Sequence, residues 1–253
     1  MFPIRDDVPA SRPPVVTRAL VVLCSLVFVL QLGDRDGSLL AGYGMIPDRV
    51  FDGGQAVWQP GAMRWPSRSE FVGPAAVPDW LTLLTCTFLH GGWAHFLGNM
   101  LFLWIFGDNV EDRFGRLRFL LFYLGCGVAA SAAHLLSAPT SHVPTIGASG
   151  AIAGVMGAYL LLYPHARVAM LVVFGFFVDV IVLPAPFFLG YWFLLQLLGP
   201  LVDQGPGGGV AWWAHIGGFV VGAVVAWLLR AGGWLRAEPR RITLQRRRYG
   251  RGW

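Results

Sequence analysis

Apolar residues run along this chain in long blocks separated by short stretches of polar residues, glycine and proline. Several blocks reach the roughly 20 residues that a helix needs to cross a bilayer. Six spans are read in this way: Val15–Leu32, Leu81–Phe106 (interrupted at Gly91-Gly92), Leu117–Leu136, Gly147–Tyr163, Ala185–Leu201 and Val210–Leu229. The pattern predicts an all-α membrane protein, a bundle of six transmembrane helices. Residues 1–14 form a cytoplasmic N-terminal tail, 15–231 the membrane domain, and 232–253 a basic cytoplasmic C-terminal tail. No cleavable signal peptide is evident, and the first span is read as an uncleaved anchor. The loop at 33–80 carries Trp58, Trp65 and Trp80. Indole rings favour the headgroup region, so this loop is expected against the membrane surface.

Val168–Leu183 is also apolar, but it carries Asp179 and ends at Pro184. It reads as a seventh crossing, as the start of a long fifth helix, or as an interfacial or re-entrant piece. Arginine placement favours six crossings. With six, Arg35, Arg49, Arg64 and Arg68 lie outside and every other arginine lies inside. A seventh crossing would export the arginine-rich tail, against the positive-inside rule.

Composition sharpens this picture. The chain is 55% hydrophobic and 13% charged, whereas a soluble domain carries about 25% charge. All 19 basic residues are arginine, for a net charge of +5. Eight of them lie between Arg230 and Arg251, beside the last span. A juxtamembrane basic segment meets anionic lipid or simply fixes topology, so membrane lipids are expected partners and nucleic acid is not. Cys24, Cys86 and Cys126 show no disulfide framework or metal-ligand spacing and read as packing residues.

Strongly polar residues inside spans are expensive and need a reason. Those that stand out are His90, His95, Asn99, Ser149 and His215. Ser149 lies in or near the first turn of the fourth span, where free backbone N–H groups and the positive helix end suit a developing oxyanion. Gly150, Gly154 and Ala158 on that span match Ala214, Gly218 and Gly222 on the sixth. Small residues four apart let helices approach closely, which would bring His215 to Ser149 as a base. His95 and Asn99, four apart, share a face and can both donate hydrogen bonds. His90 is expected to hold local structure at the helix mouth. Metal binding needs three or four convergent ligands, and none is expected. Glu111 and Arg113, placed on an inner loop, read as a structural cap and anchor. Asp179, Gln196 and Asp203 take no role, so the chemistry is read as a dyad.

These residues resemble the rhomboid family of intramembrane serine proteases. The likeness rests on His90-x4-His95-x3-Asn99, Gly107-x3-Glu111-x3-Gly115, Gly147-Ala148-Ser149-Gly150 and Ala214-His215-Ile216-Gly217-Gly218, in that order. It implies Ser149 as nucleophile, His215 as general base, and an oxyanion hole of His95, Asn99 and the Ser149 amide. His90, Gly147, Gly150 and Gly218 would shape the surroundings. It implies cleavage of transmembrane protein substrates without a cofactor. Two positions depart from the pattern. Some members carry an aromatic residue four after the nucleophile, where this chain has Ala153. The Trp-Arg pair of some first loops is absent, and Arg64-Trp65 runs in reverse order.

Two other readings use the same scaffold: a non-catalytic membrane protein that binds client helices, and a transporter or haem carrier. The intact serine and histidine count against the first. The absence of paired repeats counts against the second. The bacterial plasma membrane is the expected location. Substrate identity and oligomeric state have no signature in the sequence.

Overall fold

A computed structural model describes residues 2–52, 57–58, 71–72, 75–175, 177–202 and 210–237. In chain order the elements are β1 (Phe2–Asp6), α1 (Val15–Gly33), α2 (Ser38–Tyr43), α3 (Pro47–Asp52), β2 (Val57–Trp58), β3 (Phe71–Val72), α4 (Thr82–Thr85), α5 (Trp93–Phe114), α6 (Arg116–Ser137), α7 (Ser149–Leu162), β4 (Arg167–Phe174), β5 (Phe177–Pro184), α8 (Ala185–Val202) and α9 (Trp212–Ala231). Helices α1, α6, α8 and α9 are long and apolar enough to cross a membrane. They turn residues such as Leu26, Leu30, Leu121, Leu194 and Val224 outward, as a lipid-facing surface requires.

The apolar helix α7 has 14 residues, or roughly 21 Å at 1.5 Å per residue. That is shorter than the hydrocarbon core. Gly150 to Tyr159 are all buried, because α5, α6, α8 and α9 pack around it. A helix enclosed by protein need not match the bilayer thickness by itself.

The second span differs from its sequence reading. Leu81–Leu89 forms α4 and a short 3-10 turn at Cys86–Phe88, and the long helix begins only at Trp93. It then continues to Phe114, so Gly107–Phe114 is helical and not a loop. Its polar end is occupied by the N-terminal segment. The Glu111 carboxylate accepts from Val16 N (3.0 Å), Thr17 N (2.8 Å) and Thr17 Oγ1 (2.8 Å). The two amides are free donors at the start of α1, following Pro13-Pro14, so Glu111 caps one helix from another. Asp112 likewise accepts from the Ser11 amide and hydroxyl.

The all-α expectation is corrected by a three-stranded antiparallel sheet ordered β1-β4-β5. Val168–Leu183 is neither a crossing nor part of α8. It folds as the β4–β5 hairpin, with Arg167 opposite Pro184 and Phe174 opposite Phe177. Valine-rich strands favour this pleated form, and Gly175 at φ +59° opens the two-residue connection. The N-terminal tail supplies β1, with Phe2 opposite Leu171 and Asp6 opposite Val168.

Arg49, expected in a surface loop, is 1% exposed. It pairs with Asp79 at 2.6 Å and donates to the Ala41 and Gly44 carbonyls. Next to it, Met45 and Thr145 exchange backbone hydrogen bonds of 3.1 and 2.7 Å. The first loop is thereby tied to the segment that leads into α7. Cys24, Cys86 and Cys126 are free and buried. Trp65 and the Arg64-Trp65 pair, Asp203, and the tail arginines from Arg240 onward lie outside the described residues.

Candidate active site

Ser149 is the first residue of α7. The approach to it is fixed by Gly147, whose φ of +122° is rarely open to other residues. A Cβ at Gly147 would come within 2.7 Å of both His95 Cε1 and Nε2, and 3.6 Å from Ser149 Oγ. The missing side chain is therefore what admits the His95 ring beside the serine. The Gly147 amide donates to the Cys86 carbonyl at 2.9 Å, which pins the backbone before the helix. The first amides of α7 have no partner inside the helix.

His215 lies in the first turn of α9, its amide bonded to the Ala211 carbonyl. Its Nε2 is 2.7 Å from Ser149 Oγ. The contact depends on small residues where α7 and α9 cross. A Cβ on Gly218 would overlap the Gly150 carbonyl, and one on Gly222 the Gly154 carbonyl. Gly157 meets the Phe219 carbonyl in the same way. The paired rows of small residues read from the sequence do face each other.

His95 and Asn99 stand one turn apart on α5. The Gly91 amide donates to His95 Nδ1 at 3.2 Å. In the neutral ring that leaves the proton on Nε2. Asn99 is buried, and its Nδ2 has no hydrogen-bond partner. His90 is buried, its ring edge-on to Phe28, Phe96 and His95. Its backbone is gripped by Gln31, which accepts from His90 N (3.0 Å) and donates to His90 O (3.1 Å). Among the described residues, no three His, Cys, Asp or Glu side chains converge as a metal site would need.

The sequence reading left one neighbour of the pair without a role. Gln196 on α8 places Oε1 2.8 Å from His215 Nδ1. Trp192, one turn earlier, sets its indole 5.7 Å from the imidazole at 38°. A lone amide in an otherwise apolar span was the available signal.

The set therefore holds a hydroxyl against an imidazole nitrogen, with the His95 ring of a third helix, α5, against Gly147 beside it. Such a set can carry out acyl transfer. Residues 77–232 match the family model described as a Rhomboid domain. The chain is 33% identical over 164 residues to rhomboid-like protein 11, chloroplastic, of Arabidopsis thaliana, covering 60% of this chain and 53% of that protein. It is 41% identical over 105 residues to rhomboid protease GluP of Bacillus subtilis, covering 42% and 20%. It is 26% identical over 183 residues to rhomboid protein 1, mitochondrial, of Saccharomyces cerevisiae, covering 68% and 49%. The chain thus spans about half or less of these relatives' own length. Their names include a chloroplast and a mitochondrion, so the comparisons do not support the expected bacterial plasma membrane. Together with the apolar helices they mark an integral membrane protein.

Proposed function

Since the chain belongs to the rhomboid family, we propose that it is an intramembrane serine endopeptidase that hydrolyses peptide bonds of transmembrane protein substrates. The observation that carries this is the 2.7 Å contact between Ser149 Oγ and His215 Nε2. His215 takes the hydroxyl proton as Ser149 attacks the substrate carbonyl. It then returns the proton to the leaving amine, and water hydrolyses the acyl-enzyme. The Ser149 amide, His95 Nε2–H and Asn99 Nδ2–H receive the oxyanion. His90, gripped by Gln31, supports the segment that leads into α5, the helix that carries His95. Gly147, Gly150 and Gly218 supply the close approaches.

The substrate helix must unwind before attack, because its carbonyls are otherwise hydrogen-bonded within the helix. We read six crossings with both ends cytoplasmic. Arg5, Arg12, Arg18, Arg113, Arg116, Arg118 and Arg167 all fall at the end of the bundle opposite Ser149, which fits the positive-inside rule.

The test is cleavage of a helical transmembrane substrate by purified protein in detergent. Ser149→Ala and His215→Ala are expected to abolish cleavage. Cleavage by Ser149→Ala at the parent rate would overturn the reading.

A further inference from the structure

We propose that Gln196 is a positioning residue that sets the tautomer and orientation of His215, a neutral third partner to the serine and histidine. The inference rests on the proposed protease reading, whose base must present an unprotonated Nε2 to Ser149.

The geometry fixes the direction of each bond. Gln196 Nε2 donates to the Trp192 carbonyl at 2.9 Å. Only the NH2 end of the amide can do so, which leaves Oε1 facing the imidazole. An amide oxygen accepts and never donates. His215 Nδ1, 2.8 Å away, must therefore carry the ring proton. The lone pair is then left on Nε2, 2.7 Å from Ser149 Oγ. With the amide reversed, its NH2 would face Nδ1 and force the proton onto Nε2. That is the tautomer that disables a serine–histidine pair. The Trp192 carbonyl is thus as necessary as Gln196 itself.

The packing keeps the amide in place. Trp192, Phe193, Gln196 and Gly199 recur at helical spacing and form the face of α8 that meets α9. Phe193 stacks on Phe219 with centroids 4.4 Å apart. Gly199 has no side chain where the Trp212 indole lies against α8. Gln196 sits in the middle of this face and is 5% exposed. A carboxylate here would add a buried charge at considerable cost. The amide orients the ring without one.

The test uses the full-length protein in detergent. In 15N spectra of labelled imidazole, His215 is expected to be protonated on Nδ1. Protonation on Nε2 in the unsubstituted protein overturns the proposal, whatever the variants do. Gln196→Leu is expected to lower kcat about 10- to 100-fold, leave KM within about twofold, and mix the two tautomers. Gln196→Glu keeps an acceptor and is expected to retain the Nδ1–H tautomer. A Gln196→Leu protein with parental kcat and an unmixed tautomer, beside an inactive Ser149→Ala, refutes this inference alone. An active Ser149→Ala refutes the protease reading, while the spectra still report on Gln196.

Discussion

Gly222 of α9 packs directly on the Gly154 backbone of α7, with no room for a methyl group between them. One turn earlier on each helix, Gly218 does the same against Gly150. At the mouth of this seam His215 meets Ser149. The 2.7 Å contact is thus set by backbone approach along two turns of glycine, not by the two side chains alone.

Gly222→Ala tests this seam. The added methyl forces α7 and α9 apart, an overpacking that costs about 1–3 kcal/mol. A displacement of about 1 Å at the reacting groups lowers rate about 100-fold. Cleavage assays and thermal unfolding of the variant should show both losses. Parental kcat in Gly222→Ala would refute the link between seam and site.

Asn99→Ala should separate catalysis from stability. The Asn99 Nδ2 donor is buried without a partner, a condition that costs folding about 1–3 kcal/mol. Its removal should leave the unfolding midpoint equal or higher. The same change deletes a proposed oxyanion donor and should lower kcat about 100-fold or more. A drop in midpoint with unchanged kcat would show that the amide supports the fold instead.

Arg49 should matter to a site it does not touch. It braces the loop whose Met45 exchanges hydrogen bonds with Thr145, four residues before Ser149. Arg49→Ala strands the Ala41 and Gly44 carbonyls and leaves Asp79 unpaired. The expected loss is about 2 kcal/mol, with faster proteolysis of the loop. Arg49→Lys keeps the charge but not the forked donors, and should fall between the two. Equal proteolysis rates in all three proteins would contradict this account.

The docking of β1 should depend on pH. Asp6 accepts from Asn109 Nδ2 (2.7 Å) and Tyr159 OH (2.6 Å). Burial pushes its carboxyl up to about 6, despite the donors Tyr159 and Val8 that act downward, and Asp7 adds to the rise. The native protein therefore holds a proton that the unfolded chain releases above the ordinary value of 3.8. Docking is strongest below that value and weakens as pH rises through about 6. Hydrogen-exchange protection of Phe2–Asp6, corrected for intrinsic rates, should be greater at low pH than at neutral pH. Asp6→Asn should remove most of the difference, and an unchanged slope in that variant would exclude Asp6 as its source.

Sequence alone determined the long apolar blocks and the arginine asymmetry, and it singled out Ser149, His215, His95 and Asn99 as candidates for the site. Each announces itself locally: a polar residue in an apolar run, or small residues repeating every four. Glu111 read correctly as a cap, although its partner, the start of α1, was invisible from its own neighbourhood. Val168–Leu183 stayed ambiguous because a short apolar run has the same composition in a strand as in a buried helix. Its pairing with Phe2–Asp6 joins segments more than 150 residues apart. The role of Gln196 was equally hidden, since an amide acquires meaning only from the atoms its two ends meet. Tertiary structure alone decided those meetings, because hydropathy records where a residue can reside, while hydrogen bonds between distant helices require the helices to be placed first.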